Sequence, residues 1–555
     1  MKLTTMVAMA AFCLPTYAMA QSASELVNGA KDTGNVVNYG MGYNLQRFSS
    51  LKQINKETVK HLVPVWNYSF DDNRSEESQA LVYKGVLYTT TNNSTMAIDA
   101  KSGKQLWKSK IEYPPETLRV VCCGVINRGV AIADGRVFRT TLDANVIALD
   151  ANTGKELWRQ NVADIKLGYT MTMAPLYADG VVMTGVSGAE FGTRDFIDGW
   201  DPETGKHLWR TYTIAAPGEP GGDTWKGDTW KFGGGSTWIT GSFDPETHTV
   251  FWGVGNPGPF NAATRPGDNL YTCSVISFDP KDGKIKWHYQ FSPNNSFDYD
   301  AVAEMVLADI KVDGKDKKVI LDANRNGFFY VLDRENGKPL AANPYVKVNW
   351  ADKIDLVTGR PVETDVAKKA REGEKVIVWP SILGGKNWEP MSYSPDTGLA
   401  YANTLNFGGH YKTAAGDYKA GEWYVQMDLS DLWEFPADTP RGYLKAIDPL
   451  TGKAKWEQPS DMPRMSGVLS TAGGVVFAGQ ETGEFEAFDA DTGAKLWQFK
   501  TGSGIEGQPI TWSQDGVQYV AVNSGLGGVY TLFSGDERLA GVPAGGSLWV
   551  FALTQ

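Results

Sequence analysis

Three segments of the chain combine carboxylate or amide oxygens with glycine. They are Ser187-Gly-Ala-Glu-Phe-Gly192, Gly253-Val-Gly-Asn-Pro-Gly-Pro-Phe-Asn261 and Asn295-Ser-Phe-Asp-Tyr-Asp300. Glu190, Asn256, Asp298 and Asp300 together offer only oxygen donors, a set suited to a hard cation. The same residue types are common in turns, so their spacing alone leaves an ordinary-loop reading open. A second chemical signal is Cys122 beside Cys123, in Arg119-Val-Val-Cys-Cys-Gly-Val-Ile-Asn-Arg128. A bridge between neighbours closes almost no loop and gains little chain entropy. Strain of that kind is retained more readily at a functional site than in a scaffold. Two reduced, buried thiols are the alternative. The five histidines are scattered along the chain, which argues against a zinc site of the common His/Cys types. No Cys-x-x-Cys-His occurs, so the chain attaches no c-type haem.

The elements that must position these residues repeat. Met96-Ala-Ile-Asp-Ala-Lys-Ser-Gly-Lys-Gln-Leu-Trp107 recurs as Ile147-Ala-Leu-Asp-Ala-Asn-Thr-Gly-Lys-Glu-Leu-Trp158, and again over 198–209, 276–287, 445–456 and 486–497. Val331 to Lys338 is a degenerate copy. Trp107, Trp158 and Trp209 are spaced 51 residues apart. A period of about 40–50 residues predicts a propeller. Each copy reads as a short β run, a tight turn at Asp-x-x-Thr-Gly-Lys and a second run ending in Trp. One such unit cannot bury both faces, so units must stack, and the repeated Trp is read as packing between them. The repeat breaks between Trp209 and Trp287 and between Lys338 and Lys445, stretches read as long loops on one rim of a single circular domain.

The bulk numbers narrow the partners. The 555 residues carry a net charge of −11 with no basic block, which excludes nucleic acid as a partner. Lys2, the mostly apolar stretch 3–17 and Ala18-Met19-Ala20 read as an export signal over residues 1–20, cleaved before Gln21. The alternative is a buried N-terminal helix. No later apolar run is long enough to span a bilayer. Export to an oxidising compartment permits a disulfide.

The repeats and inserts resemble the quinoprotein alcohol dehydrogenases, the methanol/ethanol dehydrogenase family that uses pyrroloquinoline quinone (PQQ). The motifs carrying the resemblance are the adjacent cysteines followed by Asn127-Arg128-Gly129, Ser187-Gly-Ala-Glu190, Gly255-Asn-Pro-Gly-Pro259, Asp298-x-Asp300, Asp322-Ala-Asn-Arg-Asn-Gly-Phe328 and Gly384-Gly-Lys-Asn-Trp388. The resemblance covers nearly the whole chain after the export segment, from Asn44 to about Gly528. The resemblance implies an all-β fold, a single eight-bladed β-propeller with tryptophan-docking repeats over 21–555, closed around a central PQQ site.

Carried over residue by residue, it implies a disulfide Cys122–Cys123 on one face of PQQ and Trp238 stacked on the other. Arg128 would pair with a PQQ carboxylate. Glu77, Thr172, Ser187, Gly188, Ala189, Ser236, Arg325, Asn387 and Trp388 complete the implied cofactor contacts. Glu190, Asn256 and Asp298 match the family's metal ligands. Asp298 would also be the general base taking the hydroxyl proton, with Arg325 keeping it ionised. Asp300 adds a third carboxylate where calcium-using members carry a small or hydroxyl residue, which implies a lanthanide (lanthanum, cerium, praseodymium or neodymium), with calcium as the alternative. Met465 stands where relatives cover PQQ with a Trp, so contact from that side is expected to be weaker.

The family oxidises primary alcohols to aldehydes and passes electrons to a soluble cytochrome c. Trp238-Ile-Thr-Gly241 and Glu77-Ser-Gln-Ala80 resemble the ethanol-type, broad-range members rather than the methanol-specialised ones. The resemblance also implies a periplasmic enzyme, with a homodimer left open. The rival class is a non-enzymatic propeller scaffold resembling outer-membrane assembly factors, which share the repeat. A scaffold has no need of the adjacent cysteines, the oxygen set or Arg325.

Overall fold

The structure, a computed structural model, describes residues 21–554. The export segment expected over 1–20 lies outside the described residues.

The Asp-x-x-Thr-Gly-Lys copies fold as the sequence predicts. In the second copy the Asp150 carboxylate accepts from the Asn152 and Thr153 amides at 3.0 and 2.9 Å and from the Thr153 hydroxyl at 2.8 Å. Gly154 then adopts φ +69°, which glycine reaches without cost. The resulting hairpin joins strands Asn145–Asp150 and Glu156–Asn161 with a register shift beside Trp158. Equivalent shifts lie in the hairpins that present Trp107, Trp209, Trp287, Trp456 and Trp497.

Among the described residues these hairpins build seven four-stranded sheets and one five-stranded sheet. Within the first complete repeat, the central strands Val86–Thr90 and Ser94–Asp99 are almost wholly buried, whereas the outer strand Gln105–Lys110 is largely exposed. Burial on both faces explains their continuous runs of apolar and small residues. One sheet unites the two ends of the chain. Leu62–Ser69 pairs antiparallel with Ser547–Leu553, beside Val517–Ser524 and Ile510–Gln514.

The repeat tryptophans reach from one sheet to the next. The indole N–H of Trp107 donates to the Ala151 carbonyl at 2.9 Å, that of Trp158 to Pro202 at 3.1 Å, and that of Trp209 to Pro280 at 3.0 Å. Trp456 donates to Ala490, and Trp497 to Leu62. A methyl placed on Gly154 would lie 2.5 Å from the Trp107 ring. Gly154→Ala is therefore expected to cost about 1–3 kcal/mol through overpacking and the left-handed backbone, read as a lower thermal midpoint. An unchanged midpoint would remove the packing role of Trp107.

The two interruptions are more than loops. The second holds the helix Asp365–Arg371, a two-stranded sheet (Ala351–Ile354 with Pro361–Glu363) and a three-stranded sheet (Val376–Val378, Gly408–Tyr411, Trp433–Glu434). The three-stranded sheet escaped the sequence reading because its members are short and far apart. Among the described residues no helix is long and apolar enough to cross a membrane.

Candidate active site

The loop 295–300 shows how the fold presents acids inside a protein. The Asn295 side-chain oxygen accepts from the amides of Phe297 and Tyr299, both at 3.0 Å, and fixes the turn. Tyr299, fully buried, donates its hydroxyl to the Pro380 carbonyl at 2.7 Å. Asp298 and Asp300 flank this anchor and both line one cavity.

Arg325 holds both acids. Its Nη2 lies 3.0 Å from Asp298 Oδ2, its Nη1 lies 2.6 Å from Asp300 Oδ2, and its Nε donates to the Ile382 carbonyl at 2.9 Å. Asp300 Oδ2 also accepts from the Trp238 indole at 3.2 Å, and Oδ1 from the Asn256 amide at 2.5 Å. A methyl on Gly255 would sit 2.4 Å from Asp300 Oδ1, so only glycine admits this approach. Asp298 Oδ1 and Asn256 Oδ1 are buried without a hydrogen-bond partner. Glu190 faces the same cavity.

Burial pushes the Asp298 carboxyl well up, Arg325 pulls it down, and Asp300 and Glu190 push it up again, with the net direction upward. Glu190 is pushed up to about 7, first by burial and then by Asp300. Three acids against one guanidinium leave an excess of buried negative charge, which a cation would relieve. Two orphaned oxygens and an all-oxygen donor set fit a hard cation. Among the described residues no three His, Cys, Asp or Glu side chains converge into a preformed metal cage. Asp298 and Asp300 are tied to Arg325, and the fourth donor, Asn256, is an amide.

The cavity opens to solvent. Cys122 and Cys123 are bridged to each other, which settles the pairing left open by the sequence, and both line this cavity. So do Glu77, Arg128, Thr172, Ser187, Ser236, Trp238, Arg325, Asn387 and Trp388. Gly188, Ala189 and Asn256 are buried and do not line the cavity. Ser236 Oγ donates to Asp195 at 2.6 Å and accepts from the Gly188 and Ala189 amides at 3.3 and 3.1 Å, which positions the turn carrying Glu190.

Arg128 and Asn387 spend polar atoms on partners within the protein. Arg128 directs Nη2 to Glu77 at 2.6 Å and Nη1 to Thr172 Oγ1 at 2.8 Å, and its guanidinium lies over the Trp238 and Trp388 rings. Its buried Nε has no hydrogen-bond partner. Asn387 spends its side-chain amide locally, donating to the Leu383 carbonyl and accepting from the Trp388 amide. Met465 does not line the cavity; it packs in an apolar cluster with Trp388 and Tyr530. Glu77 and Arg128 are fully and almost fully buried, so Arg128→Met strands a charge. We expect a loss of about 3–5 kcal/mol in unfolding experiments, partly recovered by adding Glu77→Gln.

The sequence missed the apolar side of the cavity. Phe260, Ile382, Leu383, Trp423, Leu429, Leu432, Trp433, Val529 and Phe533 line it. Six of them, from Ile382 to Trp433, come from the second interruption, where no repeat marks their place. The only available signal was the cluster Leu429, Leu432, Trp433 within a polar stretch.

Comparison with known proteins agrees with this geometry. The family model described as glucose/ethanol/alcohol dehydrogenase, β-propeller domain (PQQ) matches residues 37–353 and 427–520. A quinoprotein ethanol dehydrogenase of Pseudomonas aeruginosa is 43% identical, over 95% of this chain and 92% of its own. A lanthanide-dependent methanol dehydrogenase of Methylacidiphilum fumariolicum is 38% identical, over 96% and 95%. The solved structure of a europium-containing methanol dehydrogenase superposes with a TM-score of 0.91 at 37% identity, covering 96% of this chain and all of its own. With the adjacent-cysteine disulfide, the buried acid–arginine cluster and the β-sheet repeats all in place, the chain belongs to the PQQ-dependent quinoprotein alcohol dehydrogenases.

Proposed function

We propose that the protein is an exported, periplasmic PQQ- and lanthanide-dependent dehydrogenase of primary alcohols, of the ethanol-type broad range, passing electrons to a soluble cytochrome c. The eight sheets of four or five strands are read as eight blades of one ring over 21–555, closed by Leu62–Ser69 against Ser547–Leu553. Five of the repeat tryptophans are read as docking one blade on the next.

The observation that carries this function is the asymmetry of Asp298. One carboxylate oxygen is held by Arg325 at 3.0 Å, the other is buried and unpartnered, and the residue lines the same cavity as the cysteine bridge and Trp238. A carboxylate fixed at one oxygen and free at the other is an oriented base. Asp298 Oδ1 takes the hydroxyl proton of the alcohol. Arg325, itself tied to the Ile382 carbonyl, holds the base in place. When bound, PQQ supplies the two-electron acceptor and the metal supplies Lewis acidity. The disulfide and Trp238 form the two faces of the cofactor slot. Glu190, Asn256, Asp298 and Asp300 are the metal donors, and three carboxylates favour a trivalent ion over calcium. The relative named as lanthanide-dependent supports this preference.

The test is reconstitution of purified protein with PQQ and lanthanum, followed by absorbance and by reduction of a dye acceptor with ethanol. A quinone absorbance band and alcohol-dependent dye reduction are the expected results. No band after both additions would return the protein to the scaffold class.

A further inference from the structure

A second set of buried acids meets the cavity at Glu77, and the chemistry proposed above leaves it unused. Glu77 lines the cavity, whereas Glu481 and Glu506 do not. None of the three is more than 1% exposed. Each enters from a different sheet. Glu77 precedes the strand Leu81–Tyr83, Glu481 lies in the turn between Val475–Gly479 and Glu484–Asp489, and Glu506 precedes Ile510–Gln514.

Ser75 joins two of them. Its hydroxyl donates to Glu506 Oε2 and lies 3.4 Å from Glu77 Oε1. One hydroxyl proton serves only one of these oxygens. The Gly527 amide donates to Glu506 Oε1 at 3.1 Å, and the Met465 amide to Glu481 Oε1 at 3.2 Å. The Glu481 and Glu506 carboxyls are within hydrogen-bond reach of each other. Two ionised carboxylates have no donor to share, and Glu481 Oε2 is buried without one.

The charges do not balance either. Among the described residues the only cation paired with these three acids is Arg128, on Glu77 at 2.6 Å. Glu76, also buried, repels Glu506, and Asp72, Arg74 and Lys108 face Glu76 in turn. Among the described residues no three such side chains converge into a metal cage, which leaves protonation to offset the charge. Burial and then Glu77 push the Glu506 carboxyl up to about 8. Burial and then Glu506 push Glu481 well above the carboxylate range.

We propose that Glu481 and Glu506 share one proton and act, through Ser75, as positioning residues that keep Glu77 on Arg128 in the wall of the cofactor cavity. The inference rests on the PQQ assignment proposed above. Losing the shared proton adds a negative charge beside Glu77, and that charge repels the carboxylates PQQ brings. The pair holds its proton below about pH 8 and loses it above, so cofactor affinity falls as pH rises.

The test titrates PQQ into the protein in the presence of lanthanum and follows quenching of tryptophan fluorescence, in the parent and in Glu506→Gln. The variant keeps the size of the side chain and a donor toward Glu481, but it has no proton to lose. The ratio of parent Kd to variant Kd should rise about tenfold between about pH 7 and about pH 9, as the competent fraction of the parent falls. Glu190 and Asp298 are common to both proteins, so their titration cancels in the ratio. Glu481→Gln should give the same result and carries the test if Glu506→Gln does not fold. Infrared difference spectra, parent minus variant, read the proton directly as a protonated-carboxyl band that fades as pH rises through about 8. Absence of that band at neutral pH overturns the shared proton. A ratio constant with pH overturns the positioning role, and PQQ binding in either case leaves the cofactor assignment standing. Failure of both proteins to bind PQQ at any pH overturns that assignment and the positioning role with it.

Discussion

Asp298→Asn should lower kcat about a thousandfold in protein loaded with PQQ and metal, with little change in KM. The substitution keeps the size of the side chain and an oxygen for the metal, but it removes the basic site. General-base contributions of 10²–10⁴ set the expected range. The geometry explains why no neighbour would substitute. Asp300, the nearest other acid, has one oxygen on Arg325 and Trp238 and the other on the Asn256 amide. Glu190 shares the cavity but is not held by Arg325 in the structure. Steady-state kinetics with a dye acceptor would measure the loss. A kcat within tenfold of the parent would exclude Asp298 as the base.

Asp300→Ala should separate the metals. Removing one of three carboxylates costs a trivalent ion more than a divalent one, because affinity of such sites follows ligand charge. We expect lanthanum affinity to fall at least about a hundredfold, with calcium then supporting activity as well as lanthanum does. The variant also frees Arg325 Nη1, so a thermal melt must accompany the titration to show that the fold persists. Unchanged lanthanum use in the variant would sink the lanthanide assignment. High activity of the parent protein with calcium alone would do the same.

Much of this site was legible before any coordinates. The Asp-x-x-Thr-Gly-Lys turns, the short β runs and the recurring Trp are local signals, and local signals survive in a sequence. The cavity position of Glu77, Arg128, Trp238 and Arg325 followed from motif resemblance rather than from physics of the chain, since residues 77 and 325 share no periodicity. What was not legible depends on distance in space. Arg128 spends both terminal nitrogens on Glu77 and Thr172, and nothing local in the sequence announces either contact. The upward shift of Asp298 likewise needs its burial, which exceeds the pull of an arginine 27 residues away. The apolar wall was invisible because it joins residues 423–433 to residues 529–533 through a single indole hydrogen bond.

The sheet that unites the two ends of the chain has a kinetic consequence. Leu62 is paired with Leu553, so this sheet cannot be completed until residue 553 has been made. Contacts of such sequence separation are made late and slowly. Until then, Leu62–Ser69 is a strand lacking its partner, with backbone groups open to any other chain. Its sequence blunts that hazard only in part: Pro64 interrupts the donor row, while Val65 and Trp66 remain apolar. Deleting Ser547–Leu553 would therefore turn a protected edge into a permanent one, and the expected outcome is aggregation rather than a smaller folded protein.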